Sequence, residues 1–117
     1  ALPILLVIKS YTDIEQSKKL AEILPIESAD MFFSGCAYPK ELHFPTFSKT
    51  SIKDNIPCWS LAALFSMLPK SAYLEKGSST ELCRLTLPVE LISSDWNLEP
   101  IDCCVDMIIK LHELNLI

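Results

Sequence analysis

The cysteines and histidines are the residues of this chain with the greatest capacity for chemistry. There are five cysteines and two histidines, at Cys36, Cys58, Cys83, Cys103, Cys104, His43 and His112. Zinc-binding sequences usually contain C-x2-4-C or H-x3-5-H spacing, and no such pair occurs in this sequence. Two neighbours on a predicted helix, Cys103 and Cys104, have side chains that diverge by about 100°. The sequence therefore predicts that the cysteines act mainly as small buried apolar residues.

Two arrangements would give these residues a chemical function. Folding could assemble a metal site from four residues: Cys58, Cys83, Cys104 and His112. Within that set, Cys104 and His112 share a predicted helix face but lie roughly 12 Å apart along the axis. Alternatively, Cys58 precedes a predicted helix, where a nucleophilic thiolate is favoured, and His43 or His112 would serve as its base. A small Cys/His-dependent enzyme or metal-binding protein is thus the alternative function.

The carboxylates and glycines of the sequence give little support for catalysis or nucleotide binding. Asp102 and Asp106 lie one turn apart on the predicted exposed side of the last helix. Glu99 and Asp102 lie near the N-terminus of that helix, where the helix dipole stabilises negative charge. Gly35 and Gly77 are the only glycines, so the Gly-rich phosphate loops of nucleotide-binding proteins are absent from the sequence. We predict no cofactor and no metal, and a protein that is not an enzyme.

Composition limits the partners and the setting. The 117 residues are 50% hydrophobic and 21% charged, with a mean hydropathy of +0.29, which predicts one domain spanning 1–117. A net charge of -5 and scattered basic residues make nucleic acid an unfavourable partner.

No apolar run reaches the roughly 20 residues that cross a bilayer, so we expect no membrane partner. The odd cysteine count, without a recognisable secretory leader, predicts a cytoplasmic protein.

Periodicity and capping residues predict three helices. They span about 13–24, 60–68 and 100–113. Thr12 and Glu15 have the spacing of a capping box at the start of the first helix. Ser60 is a favourable N-cap for the second helix, and Pro100 is favoured at the first position of the third. The wide apolar arc of the third helix indicates packing on two sides.

Strands and loops complete the prediction. Strands are expected over residues 3–9, 29–38 and 83–91, the second with a bend or bulge near Gly35. The third alternates strictly, and Pro88 forces an edge position, a bulge or a break in it. Its apolar face consists of Cys83, Leu85, Leu87, Val89 and Leu91. Residues 39–55 are predicted to form a mobile loop, and residues 70–80 a second loop. The result is an α+β fold, in which three helices pack on a small, mostly antiparallel sheet.

Three sequence blocks resemble a known family. They are EQSKKLAEILPIESADM over 15–31, IPCWSLAALFSMLP over 56–69 and PIDCCVDMIIKLHELN over 100–115. Their order and spacing, from about residue 9 to the end, are similar to those of a family of small proteins from gut Bacteroides-type bacteria, their phages and mobile elements. That family has no assigned activity. The resemblance therefore implies a phage or mobile-element setting and transfers no catalytic residues.

The remaining functional prediction concerns the surface. Aromatic residues near loops and element ends, with the apolar end of the chain, are expected to leave apolar area exposed for a partner. The candidate interaction residues are Tyr38, Phe44, Phe47, Trp59, Trp96 and Leu116. Each aromatic could instead pack beneath a loop. We predict a non-enzymatic intracellular accessory protein that acts through contacts with an unknown protein partner or with a second copy of itself.

Overall fold

The fold is α+β, as the sequence predicts. The computed structural model describes residues 10–33 and 56–117. In chain order the elements are α1 (Ile14–Ala21), a 3-10 turn (Ile26–Ser28), β1 (Met31–Phe33), β2 (Ile56–Cys58), α2 (Leu61–Ser66), β3 (Tyr73–Lys76), β4 (Cys83–Leu87), β5 (Ile92–Ser93) and α3 (Pro100–Glu113). The strands form two small antiparallel sheets, one of β1 and β2 and one in the order β3-β4-β5.

Helix α1 begins one residue later than its predicted capping box. Asp13 is the N-cap, because its carboxylate accepts the N–H of Gln16 at 2.7 Å and the Gln16 side chain accepts the N–H of Asp13 at 3.1 Å. The prediction that Thr12 and Glu15 form the box is therefore wrong. Thr12 is fully buried and uses its hydroxyl in contacts with other elements. The helix also ends at Ala21, short of the predicted residue 24.

The other two helices begin where the sequence predicts. The hydroxyl of Ser60 accepts the N–H of Ala63 at 3.2 Å, which caps α2. Helix α2 ends at Ser66, short of the predicted residue 68. Pro100 is at the first turn of α3, whose bounds match the predicted 100–113. The prediction that Cys104 and His112 share a face is wrong, since Cys104 is buried and His112 is exposed. Eight residues rotate a helix by about 800°, which leaves these two side chains roughly 80° apart.

The three-stranded sheet corrects the predicted loop over 70–80. Strand β3 lies within that range and pairs with β4 in a register that places Tyr73 opposite Thr86 and Glu75 opposite Arg84. The sequence of β3 lacks the apolar alternation of a half-buried strand. The segment is extended because it pairs with β4, and its own residue pattern does not predict a strand. At Gly77 in the connecting turn, an added Cβ would collide with the Thr80 hydroxyl.

Strand β4 carries the predicted alternation only as far as Leu87, the residue before Pro88. The chain then turns, with Leu91 at φ 57°, and returns as β5. Val89 and Leu91, which the sequence placed on the buried face, are 76% and 89% exposed. Proline cannot donate to the strand ladder, and of the three outcomes predicted at Pro88 the structure shows the break.

The main hydrophobic core lies between α3 and β4, with α2 on its flank. Fully buried side chains at its centre are Trp59, Leu64, Leu85, Leu87, Ile101, Met107 and Ile108. A second cluster joins α1 to the two-stranded sheet and contains Ile14, Met31, Phe33 and Cys58. The two clusters use most of the apolar faces that periodicity identified.

Several predictions fall outside the residues that the structure describes. They are the strand over 3–9, the bend near Gly35 with the end of the strand over 29–38, and the mobile loop over 39–55. Within 29–38, the described part forms β1. No helix within residues 10–33 and 56–117 combines the length and apolar character that crossing a bilayer requires.

Candidate functional site

The outer face of the three-stranded sheet carries a cluster of aromatic and charged side chains. Tyr73 and Glu75 alternate with the inward-facing Leu74 on β3, and Arg84 lies opposite Glu75 on β4. Trp96 follows β5 and is 41% exposed, while Tyr73 is 46% exposed. We call Tyr73, Glu75, Arg84 and Trp96 the sheet-face cluster.

Arg84 links the two halves of this cluster. Its guanidinium carbon lies 4.6 Å from the centroid of the Trp96 ring, which is the geometry of a cation–π contact. On its other side, Arg84 Nε donates to Glu75 Oε1 at 2.9 Å and Nη2 lies 2.8 Å from the same oxygen. The cation is therefore held between a carboxylate and an indole.

Glu75 is fixed by more than its ion pair. The Thr86 hydroxyl donates to Glu75 Oε1 at 2.7 Å. This hydrogen bond, followed by those from Arg84, lowers the pKa of the Glu75 carboxyl below its ordinary 4.5. Glu75 is ionised at neutral pH, so the pair on the sheet face carries no net charge and Trp96 supplies the apolar contact area.

An open cavity of about 490 Å³ adjoins the cluster. Its lining includes Trp96, Glu75 and the turn 77–80, which carries the hydroxyl-bearing residues Ser78, Ser79 and Thr80. A partner group that enters this cavity would thus find an aromatic side chain and hydroxyl-bearing residues in the same lining. Such a combination of an aromatic face and nearby polar groups is typical of protein contact sites.

Leu116 belongs to a different surface. Leu116 is 58% exposed and Leu114 is 55% exposed beyond the end of α3. Leu116 lines a cavity of about 360 Å³ with Met67 and Leu68 of the α2 end, and Glu90 supplies a carboxylate there. This cavity and the one beside Trp96 share no lining residue. The structure therefore does not bring Trp96 and Leu116 together into one site.

Trp59 does not contribute to the surface at all. Its side chain is 0% exposed, and the indole N–H donates to the Ser28 hydroxyl at 2.9 Å. Its main-chain N–H donates to the Thr12 hydroxyl at 3.1 Å. Trp59 anchors the core, which corrects its placement among the interaction residues. Tyr38, Phe44 and Phe47 lie outside the residues that the structure describes.

The described cysteines are separate from the histidine of α3. Cys58 contacts the Thr12 hydroxyl at 3.5 Å, and burial raises the pKa of its thiol. The expected lowering of the pKa at the helix start is therefore wrong, because loss of solvation outweighs it. Cys83, on β4, and Cys104, on α3, lie instead in the main core, and His112 is exposed. Across residues 10–33 and 56–117, no group of three or more His, Cys, Asp or Glu is placed to hold a metal ion.

Sequence reasoning identified Trp96 but missed the residues that position it. Arg84 and Glu75 are nine positions apart, and they meet because β3 and β4 form a hairpin around the turn 77–80. The available signal was the spacing of opposite charges across a Gly-Ser-Ser turn. Comparison of the chain with protein-family models, curated proteins and solved structures finds no match.

Proposed function

We propose that this chain is a non-enzymatic accessory protein that acts through protein contacts, with the sheet-face cluster as its contact site. The observation that carries the proposal is the exposed indole of Trp96 with the Arg84 guanidinium stacked on it. Trp, Tyr and Arg are the residue types that most often dominate binding energy at protein interfaces. Tyr73 on the same face supplies the third member of that set.

Preorganisation supports this use of the cluster. A free Arg side chain loses considerable rotamer freedom when a partner orders it. Here the contacts to Glu75 and Trp96 already restrict Arg84 in the unbound protein. Binding at this face therefore costs less ordering entropy than binding at a flexible arginine, and more of the contact energy contributes to affinity.

The cluster also defines the chemistry of its partner. Because Arg84 and Glu75 compensate each other, the face does not select strongly for either sign of charge. A partner that places an apolar or aromatic group on Trp96, with polar groups over the turn 77–80, fits the arrangement. The partner is either another protein or a second copy of this chain. We place this contact in the cytoplasm, in the phage or mobile-element setting that the resemblance implies.

The test compares two variants as bait in affinity purification from the native host. Trp96→Ala removes the stacking surface, whereas Val89→Ala removes an apolar side chain that is 76% exposed on another turn. We expect the partner to be recovered with wild type and Val89→Ala but lost with Trp96→Ala. Sedimentation equilibrium of the purified protein detects the self-associating case, in which Trp96→Ala shifts the dimer toward monomer. A strict monomer without a partner, or equal recovery with both variants, would contradict the proposal.

A further inference from the structure

Two core cysteines from different elements are in sulfur–sulfur contact. Cys83 begins β4 and Cys103 lies in the first turns of α3, and their Sγ atoms are 3.5 Å apart. The thiol of Cys103 also donates to the main-chain oxygen of Cys83 at 3.2 Å. Small side-chain rotations bring sulfurs at this separation to bonding distance, which is about 2.05 Å in a disulfide.

The main chain around this pair is firmly held. Cys83 and Asn97 exchange two main-chain hydrogen bonds, of 2.7 and 2.8 Å, and the Cys83 thiol donates to the Asn97 oxygen at 3.3 Å. Strand β4 packs directly on α3. The two sulfurs therefore stay adjacent in the native state, and no refolding is needed for them to react.

The two thiols differ in access. Cys83 lines a surface cavity of about 340 Å³ whose rim includes Lys76, Leu98 and Pro100. Cys103 is 0% exposed and lies behind Cys83. A small reagent that enters the cavity meets the Cys83 sulfur first, and the second thiol then attacks from the protein interior.

We propose that Cys83 and Cys103 form a modification site, at which a low-molecular-weight disulfide converts the two thiols into a reversible intramolecular disulfide. The Cys83 thiolate attacks one sulfur of the oxidant RSSR, which forms a mixed disulfide and releases one RS⁻. The Cys103 thiol then loses its proton, its sulfur attacks Cys83 Sγ, and the bond from Cys83 to R–S breaks with release of the second RS⁻. The two RS⁻ ions take up the two protons, so two protein thiols and one RSSR give one protein disulfide and two RSH.

The environment of Cys83 makes this reaction slow at neutral pH. Burial and the adjacent Cys103, with the negative charges of Glu99 and Asp102, raise the pKa of the Cys83 thiol to about 11. Only the thiolate attacks, and its population rises tenfold per pH unit below that pKa. The charged and titratable groups facing the site from the surrounding elements are Lys76, Glu81, Glu99, Asp102, Cys103 and Cys104.

The link would join β4 to α3 across the middle of the core. It closes a loop between positions 83 and 103, which lowers the entropy of the unfolded chain. Because the joined elements are already in contact, little native strain is expected. We therefore expect a Tm about 10–15 °C higher for the oxidised protein than for the reduced protein.

The experiment uses the full chain and the neutral probe hydroxyethyl disulfide. After incubation at pH 9 we expect the peptides that contain Cys83 and Cys103 to lose two hydrogen atoms together. Mapping by peptide scores this pair separately from Cys36, which lies outside the described residues. Peptide mapping should join Cys83 to Cys103, and dithiothreitol should reverse the change. The rate should rise about tenfold per pH unit between pH 7 and 10.

Two variants identify the roles of the thiols. Cys103→Ala should stop the reaction at a mixed disulfide on Cys83, while Cys104→Ala, which removes the adjacent buried thiol, should still form the link. If Cys103→Ala does not fold, the mass and peptide map of the wild-type protein decide the question alone. Free thiols at both Cys83 and Cys103 after incubation at pH 9, a persistent mixed disulfide on Cys83 in the wild-type protein, or a link from either residue to another cysteine would overturn the proposal.

Discussion

The buried hydroxyl of Thr12 offers a sharp test of how the elements are joined. Thr12 precedes α1 and is fully buried. Its Oγ1 lies 2.8 Å from the Ser17 Oγ and accepts the main-chain N–H of Trp59 at 3.1 Å. Thr12→Val keeps the shape of the side chain and removes only the hydroxyl. The main-chain N–H of Trp59 and the hydroxyl of Ser17 then lose a partner in the protein interior, and the Cys58 sulfur loses a longer, weaker contact at 3.5 Å.

The expected cost follows from counting those groups. Each buried polar group left without a hydrogen bond costs about 1–3 kcal/mol. The Trp59 N–H is fixed by the main chain, whereas the Ser17 hydroxyl can partly reorient. We therefore expect Thr12→Val to lower the free energy of unfolding by about 2–4 kcal/mol. A domain of this size has a total stability of roughly 5–15 kcal/mol. The substitution should therefore produce a large shift in the unfolding midpoint.

Urea unfolding followed by circular dichroism measures this change. Thr12→Ser is the matched control, because it keeps the hydroxyl and loses one methyl group, for an expected cost of about 1 kcal/mol. In the double variant Thr12→Val with Ser17→Ala, the second substitution removes one of the unpaired groups and should cost less than it does alone. Equal stability of Thr12→Val and Thr12→Ser would refute the reasoning, since the hydroxyl would then contribute nothing.

Three further predictions follow from burial and charge. Leu85 lies in the middle of β4 and is 0% exposed, so Leu85→Ala should lower the free energy of unfolding by about 3 kcal/mol. Leu91 is 89% exposed, so Leu91→Ala should change the free energy of unfolding by less than about 0.5 kcal/mol in the same urea titration. Glu75→Gln should lower the free energy of unfolding at neutral pH. Because the folded-state pKa of Glu75 is lowered, this difference from wild type should shrink as the pH falls below the ordinary 4.5. Thermal unfolding across pH 3–7 measures the difference, and a constant value would contradict the prediction. Iodide should quench the emission of Trp96 and not that of Trp59, so Trp96→Phe should abolish most of the quenching.

Local sequence signals predicted the elements that depend on local interactions. Ser60 and Pro100 mark helix starts because capping and the fixed φ of proline act within one turn. Thr12 failed as an N-cap because Asp13 stands next to it and the Thr12 hydroxyl is required by Trp59. Tertiary hydrogen bonds thus decided between two adjacent cap candidates that the sequence alone could not separate.

Features that depend on distant pairing could not be predicted. Strand β3 has no apolar alternation of its own and exists as the partner of β4. The position of Arg84 between Glu75 and Trp96 follows from that pairing, and so it escaped sequence reasoning. Trp59 shows the converse. Its position just before the second predicted helix, two residues after Pro57, suggested an exposed element end, but the fold buries it completely.

The central claim is that Trp96 and the stacked Arg84 form a contact site for a protein. The most direct measurement is the dissociation constant of the partner, or of the dimer where the chain binds itself, for wild type, Trp96→Ala and Val89→Ala. At an interface hot spot worth 2 kcal/mol or more, Trp96→Ala should weaken binding at least about 30-fold, with Val89→Ala close to wild type. A dissociation constant for Trp96→Ala within about threefold of wild type would contradict the account.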